Sequence, residues 1–137
     1  MSRQESTSVV RVPLAAVESK LSAVEDWPQF LIGLAGVDKV THGRYQFHVK
    51  HGGHTFDVPV AVTVDARDHR FAWHSQEGPK WDGEVKLTVV DGHHTKVHLV
   101  TIAEPRGFGA SVADMVVAAK DEATVDLQRL EALLTAD

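Results

Sequence analysis

The apolar and polar positions in the first quarter of the chain predict a strand followed by two short helices. The apolar stretch at 9–12 is long enough for a strand, which Pro13 ends. Over 14–24 the apolar residues recur at spacings of three and four, the pattern of an amphipathic helix of about three turns. The segment 26–28 (Asp-Trp-Pro) interrupts this helix, because the residue before a proline avoids the helical region. The apolar residues within 30–34 predict a second short helix.

From about Val37 to Glu104 apolar residues alternate with polar ones, which is the period of strands with one buried face. The turns between these runs are short, and Gly52-Gly53 and Asp91-Gly92 are typical of tight hairpins. Short connections predict antiparallel neighbours, since parallel pairing needs a crossover of about a dozen residues or more. At Pro59 we expect a bulge or a local break, because proline removes a hydrogen bond from the ladder.

A helical pattern returns after a loop that contains Pro105, Gly107 and Gly109. Ser111 begins a stretch with the spacing of a capping box, and an apolar stripe then continues to Leu134. A long helix with one apolar face and an antiparallel sheet bury most surface when the sheet curves around the helix. The predicted fold class is therefore α+β, with a seven-stranded antiparallel sheet curved around the C-terminal helix and two short helices after the first strand. We expect residues 1–137 to form a single domain.

Composition narrows the class of protein. The chain has a net charge of −5 and no cysteine, which argues against a nucleic-acid partner and excludes disulfides and thiolate metal sites. The first eight residues are polar, unlike a signal peptide, and every apolar run is far shorter than the roughly 20 residues of a membrane span. These features predict a cytoplasmic protein without a membrane span, and they leave its oligomeric state open.

Several stretches of the chain are similar to a known superfamily. Val24–Leu31 is similar to a "D-x-x-x-W-P-x-F" helix start, with the acidic residue closer to the tryptophan, and Arg70–Ser75 to an "R-hydrophobic-x-W-x-S" strand. Gly83–Leu87 and Thr95–Leu99 match its last two strands, and Asp126–Leu130 matches a closing "D-L-x-x-L". With the order of elements, these stretches resemble the START-like (SRPBCC) superfamily of helix-grip proteins, particularly its polyketide cyclase/dehydrase-like branch.

The resemblance implies an internal cavity in which the ligand lies between the concave sheet face and the long helix. It is specific for the fold and covers nearly the whole chain. The superfamily includes lipid carriers, quinone-binding proteins, plant hormone receptors, aromatase/cyclases and chaperone activators, so that the fold alone does not define the function.

The alternation predicts which side chains line the interior. The polar groups predicted to face the interior are only hydroxyls and indole N–H groups, and the charged residues of the strands are predicted on the opposite face. A general acid or base must reach its substrate, so this lining favours the binding of a hydrophobic small molecule or lipid over catalysis. Core packing explains the apolar members equally well. The candidate ligand-binding residues are Tyr45, Phe47, Trp73, Ser75, Trp81, Val85, Leu87, Leu99, Phe108 and Met115.

Two other functions stay open. The first is a polyketide cyclase/dehydratase-type enzyme for an aromatic or polyketide substrate, in which Tyr45 or Ser75 polarises a carbonyl. Aromatase/cyclases of this fold typically carry an inward arginine, whereas this chain has Val-Ala-Val at 60–62, which argues against that activity. The second is a protein-interaction module with a closed core, which binds through its acidic outer face or through the loop around Phe108.

The nine histidines invite a metal-binding interpretation. However, His48, His74 and His98 are predicted on the outer face of three different strands, and the other six lie near turns. A transition-metal site needs three or four ligands that converge on one point. We therefore expect solvated histidines, no specific metal and no cofactor.

Overall fold

The computed structural model of the chain describes residues 2–51, 53–77, 80–103 and 112–135, without the side chains of 2, 51 and 112–122. Its strands are β1 (Ser2–Val10), β2 (Leu34–Thr41), β3 (Arg44–His51), β4 (His54–Asp65), β5 (Arg70–Ser75), β6 (Trp81–Asp91) and β7 (His94–Ala103). These seven strands form one antiparallel sheet in the order β1-β7-β6-β5-β4-β3-β2. This confirms the predicted fold class, including the long C-terminal helix.

The first strand is longer than its apolar stretch predicts. β1 begins at Ser2 and pairs with β7 along its whole length, from Ser2 opposite Ala103 to Val10 opposite Thr95. Its inward positions include Gln4 and Ser6, which hydrogen bond to the C-terminal helix instead of burying apolar groups. The apolar pattern therefore predicted only the end of this strand, at Val9 and Val10, and missed its first seven residues.

The first short helix begins where the pattern predicts, but the second lies earlier than predicted. Helix α1 (Leu14–Ser22) is followed by a 3₁₀ helix (Val24–Gln29), and position 34 already belongs to β2. Pro28 is accommodated inside the 3₁₀ helix. The side chains of Trp27 and Phe30 are buried, three residues apart, which matches the three residues per turn of a 3₁₀ helix. The expectation of a second helix over 30–34 was wrong.

Pro59 causes no bulge, contrary to expectation. Strand β4 pairs with β3 through Pro59 without a shift of register, and its pairing with β5 begins at the next residue, Val60. The Pro59 carbonyl accepts a hydrogen bond from Gln76 N at 2.8 Å, just beyond the last β4–β5 pair. The N and O atoms of a residue point to the same side of an antiparallel strand, so the proline nitrogen faces the end of β5. No ladder donor is missed there, because the regular pairing has already stopped.

The C-terminal helix α2 (Val112–Leu134) connects the two sides of the curved sheet. At the β1 edge, Ala123 N donates to Gln4 Oε1 at 3.0 Å. Toward the other side, Asp126 Oδ1 accepts a hydrogen bond at 2.9 Å from Ile32 N, in the loop between the 3₁₀ helix and β2. Ala123, Leu127 and Leu130 of α2 are buried in the common core. The helix is thus held on the concave face from both ends of the sheet.

Candidate ligand-binding site

The concave face is lined as the alternation predicts. Phe47, Val85, Leu87 and Leu99 are at most 2% exposed, and each lies opposite another inward residue of a neighbouring strand. Val85, for example, pairs with Phe71 on one side and Leu99 on the other. The charged side chains of these strands lie on the convex face, where Arg70 forms an ion pair with Glu84. The interior is therefore apolar around the centre of the sheet.

Four aromatic rings form a closed cluster at this centre. Trp73 lies 5.3 Å from Trp27 and 5.4 Å from Trp81 between ring centroids, and Phe47 lies 6.1 Å from each of the same two rings. The angles between ring planes run from 56° to 75°, close to edge-to-face packing. This arrangement sets the positive edge of one ring against the negative face of the next, which stabilises aromatic pairs beyond simple burial. We call these four residues the aromatic cluster.

Gly83 makes room for the cluster. It lies directly opposite Trp73 on the neighbouring strand β6. A Cβ atom built on Gly83 would overlap the six-membered ring of the Trp73 indole. Glycine is thus needed here for the close approach of a ring to the backbone, as when an aromatic side chain covers a glycine across a strand pair.

The indole nitrogens of the cluster differ in their partners. Trp27 Nε1 donates a hydrogen bond to Leu21 O at 2.9 Å, which ties the 3₁₀ helix to the end of α1. Trp73 Nε1 is fully buried and has no hydrogen-bond partner among the residues that the structure describes. A buried donor left without a partner costs about 1–3 kcal/mol, so such groups call for an explanation. The Trp73 N–H is therefore an unused donor at the centre of the concave face.

The hydroxyl of Ser75 is already hydrogen bonded to residues of the neighbouring strand β6. Ser75 N and Oγ both donate to Asp82 Oδ1, each at 2.9 Å, and Trp81 N donates to Ser75 Oγ at 3.2 Å. These bonds continue the β5–β6 pairing past its last backbone pair, Trp73 with Gly83. A larger side chain at position 75 would therefore disturb this end of the sheet.

The remaining candidate residues fall into two groups. Tyr45 is partly buried and packs against the core, and Trp81 is 8% exposed at one corner of the aromatic cluster. Met115 belongs to α2, but its side chain lies outside the described residues, as does Phe108 altogether. Val60 and Val62 of β4 are buried in the core. The position at which the resemblance to aromatase/cyclases implies an inward arginine is therefore apolar in this chain.

Sequence reasoning missed two interior residues. Trp27 was read as part of a helix break, although the spacing of Val24, Trp27 and Phe30 carried the signal of a buried 3₁₀ face. Asp126 is 3% exposed, whereas the other buried side chains in the described part of this helix are apolar. Its hydrogen bond to Ile32 N gives it a structural role that no local pattern indicates.

The convex face carries histidine–carboxylate pairs. His48 hydrogen bonds to Asp38 and to Asp57, both at 2.7 Å, across strands β2, β3 and β4. The hydrogen bond to Asp38, followed by that to Asp57, raises the pKa of His48. His98 hydrogen bonds to Glu5 at 2.6 Å, and this bond is the main cause that lowers the pKa of the Glu5 carboxyl.

These pairs do not assemble into a larger centre. Among the described residues, no group of three or more histidine and acidic side chains is placed to hold a metal ion. The expectation that no metal or cofactor binds stays a prediction.

An antiparallel sheet of seven strands packed against a long C-terminal helix is the arrangement of the helix-grip fold. Comparison with solved structures bears this fold out. The chain superposes on a START superfamily protein from Mycobacterium smegmatis with a TM-score of 0.77 and 14% identity, covering 98% of this chain and 97% of the other. A protein from Deinococcus radiodurans gives a TM-score of 0.80 at 16% identity over the full length of both chains.

The Zhui aromatase/cyclase from Streptomyces sp. R1128 is similar too, with a TM-score of 0.75, 17% identity and coverage of 97% and 93%. In sequence, the chain is 26% identical over 132 residues to an uncharacterized 17.2 kDa protein of Streptomyces lincolnensis, covering 96% of this chain and 88% of that protein. No family model matches the chain. The fold is thus that of START-like proteins and polyketide aromatase/cyclases.

Neither described helix has the length and apolar character that crossing a membrane would require.

Proposed function

We propose that the protein binds a hydrophobic small molecule or lipid between the concave face of the sheet and α2, as a single domain over residues 1–137. The aromatic cluster is the observation that carries this proposal. A ligand against such rings gains roughly 25 cal/mol for each Å² of apolar surface removed from water. The cytoplasmic location expected from the composition and the absence of a nucleic-acid partner stay predictions.

The charge distribution supports binding over acid–base chemistry. No lysine or arginine among the described side chains is buried, and the buried polar side chains described are those of Thr95, Thr101 and Asp126. Thr95 Oγ1 already donates to Val12 O at 2.8 Å, and Asp126 Oδ1 accepts from Ile32 N. Both groups thus stabilise the fold, which leaves few groups to move a proton on a substrate.

Tryptophan fluorescence offers a direct test, because all three tryptophans of the chain belong to the aromatic cluster. We expect saturable changes of emission on titration with at least one of a fatty acid, a quinone and an aromatic polyketide. In Trp81→Ala, affinity measured by calorimetry should fall about tenfold, since stacking and buried area are lost. The matched control His74→Ala changes an exposed residue on the opposite face of the same sheet and should leave affinity unchanged. If none of the three compounds binds saturably, the interaction module with a closed core becomes the better interpretation.

A second candidate function is a polyketide cyclase/dehydratase-type enzyme. The similarity in fold to the Zhui aromatase/cyclase and to the di-domain aromatase/cyclase BexL favours it. The Tyr45 hydroxyl would then polarise a substrate carbonyl. Conversion of an aromatic polyketide to product, detected by mass spectrometry and abolished in Tyr45→Phe, would establish this alternative over simple binding.

A further inference from the structure

The exposed apolar side chains of the protein lie at one end of the sheet. Every neighbouring pair of strands is antiparallel, so that β1, β2, β4 and β6 run in the same direction and finish at the same end. Within the described part of the chain, the large apolar side chains that are exposed all belong to the last three residues of these four strands. They are 49–63% exposed: Val9, Val40, Val64, Val89 and Val90. We call these five residues the valine rim.

The register of the strands leaves the ends of β4 and β6 projecting beyond their neighbours. β3 begins opposite Ala61, so that the last residues of β4 have a paired strand only on the β5 side. β5 begins opposite Lys86, so that the last residues of β6 pair only with β7. Val64 on the one hand, and Val89 and Val90 on the other, therefore stand on two separate tips of the sheet.

The strand ends and turns around the valine rim are basic, although the whole chain has a net charge of −5. They contain six lysine and arginine residues against three aspartates and no glutamate, a net charge of +3. The segments counted are 9–12, 39–44, 64–70 and 88–96. The negative charge of the protein is thus concentrated elsewhere, and this end is suited to an anionic partner.

Four of these cations are exposed and form no ion pair with another described residue: Arg11, Lys39, Arg67 and Lys96. Lys96 lies directly opposite Val9 across the β1–β7 pair. By contrast, Asp65 and Asp91 each accept a hydrogen bond from a backbone N–H of their own turn, at 3.0 and 2.8 Å. Positive charges beside the valines are therefore available to a partner, while two of the three carboxylates are already engaged.

We propose that the valine rim docks the protein on an anionic lipid surface, with the valines among the lipid headgroups and the four cations against the phosphates. This docking goes beyond the proposed function and does not depend on it. Attraction to anionic lipids and burial of apolar surface add together in interfacial binding, so that small apolar groups bind well when they have basic neighbours.

The spacing of the valines favours a lipid surface over a protein partner. Neighbouring strands are about 4.8 Å apart, so that the tips of alternate strands are separated by about 10 Å. A protein interface gains most of its energy from a compact cluster of large side chains, chiefly aromatic residues and arginine, that fill pockets. Separate valine tips provide no such cluster, whereas a fluid lipid surface adjusts to each tip.

Vesicle co-sedimentation tests the docking with the wild-type protein. We expect saturable binding to vesicles of phosphatidylserine and phosphatidylcholine in equal parts, weakened by added salt, and at least about tenfold weaker binding to phosphatidylcholine alone. Val64→Gln combined with Val89→Gln should lower the affinity for the anionic vesicles about five- to tenfold, because two apolar contacts are lost.

A second pair of variants separates local from overall charge. Lys39→Gln combined with Lys96→Gln should lower the affinity about 25-fold, which is about fivefold for each cation removed from the surface. The matched control is Lys50→Gln combined with Lys80→Gln, which removes two lysines at the opposite end of the sheet. It should change the affinity by less than about twofold, because the length of the strands exceeds the distance over which salt screens a charge.

A fluorescent label locates the contact. The chain has no cysteine, so that an environment-sensitive fluorophore can be attached to a single introduced one. The labelled positions are Val90→Cys in the valine rim and Lys50→Cys at the opposite end of the sheet. Anionic vesicles should shift the emission to the blue at position 90 and leave it unchanged at position 50.

The proposal fails if the wild type does not bind the anionic vesicles, binds neutral vesicles equally well, or loses as much affinity in the control variant as in Lys39→Gln with Lys96→Gln. Undiminished binding of the valine variant, or an emission shift at position 50 alone, would overturn it too. A dimer in sedimentation velocity that the valine variant abolishes, without vesicle binding, would assign the rim to a second copy of the chain instead. The proposed function is tested separately, because its titrations use dissolved ligands.

Discussion

Replacing Gly83 by alanine should lower the free energy of unfolding by about 2–3 kcal/mol, although the change adds one methyl group. The new Cβ would occupy the place of the Trp73 ring, which lies opposite it on β5. Either the indole must move or strands β5 and β6 must separate. Trp73 has little freedom to move, because Trp27 and Trp81 hold it at centroid distances of 5.3 and 5.4 Å.

The magnitude follows from two opposing effects. Overpacking of a rigid core typically costs about 1–3 kcal/mol. Because the Trp73 indole cannot move aside, we expect a cost at the upper end of this range or above it. Replacing glycine by alanine recovers about 0.4–1 kcal/mol, since the unfolded chain loses conformational freedom. The net loss corresponds to a fall in Tm of roughly 8–12 °C for a domain of this size.

Urea unfolding followed by circular dichroism measures the loss, and Gly92→Ala is the matched control. A Cβ on Gly92 meets nothing within 4 Å, so this variant should change stability by less than about 0.5 kcal/mol. In a Trp73→Leu background the cost of Gly83→Ala should shrink to below about 1 kcal/mol, because the obstructing ring is gone and the two changes are coupled. A Gly83→Ala variant as stable as the wild type, or an equal cost in both backgrounds, would refute the role assigned to the Trp73–Gly83 contact.

Two further predictions concern the convex face and α2. The pKa of His48 is raised, so its stabilising effect is complete below the ordinary value of 6.5 and is lost as pH rises through the folded pKa. Urea unfolding between about pH 6 and about pH 8.5 should show this decline in the wild type and less of it in His48→Gln, and identical profiles would contradict it. Asp126→Ala should lose about 1–3 kcal/mol because Ile32 N loses its acceptor, whereas Asp126→Asn, which keeps an oxygen there, should lose less. Hydrogen exchange at the Ile32 amide checks this, and unchanged protection in Asp126→Ala would contradict it.

Much of the sheet could be predicted from the sequence, because alternation is a local consequence of burying one face. Phe47, Trp73 and Leu87 were placed on the concave face from spacing alone, and all three are buried there. The same reasoning placed His48 and the charged residues of the strands on the convex face. The resemblance to START-like proteins was borne out by the fold as well.

Other features were decided only by the tertiary structure, because they join residues that are distant in sequence. The inner side of β1 is polar at Gln4 and Ser6, so that the first part of this strand is defined by its pairing with β7 and its hydrogen bonds to α2. The role of Asp126 requires the loop at Ile32 to meet a helix 94 residues further on. Periodicity reports which face a residue occupies, but it does not report which side chain lies across from it. The position of the Trp73 ring over Gly83, where its N–H has no partner among the described residues, comes from how β5, β6 and the 3₁₀ helix pack against one another.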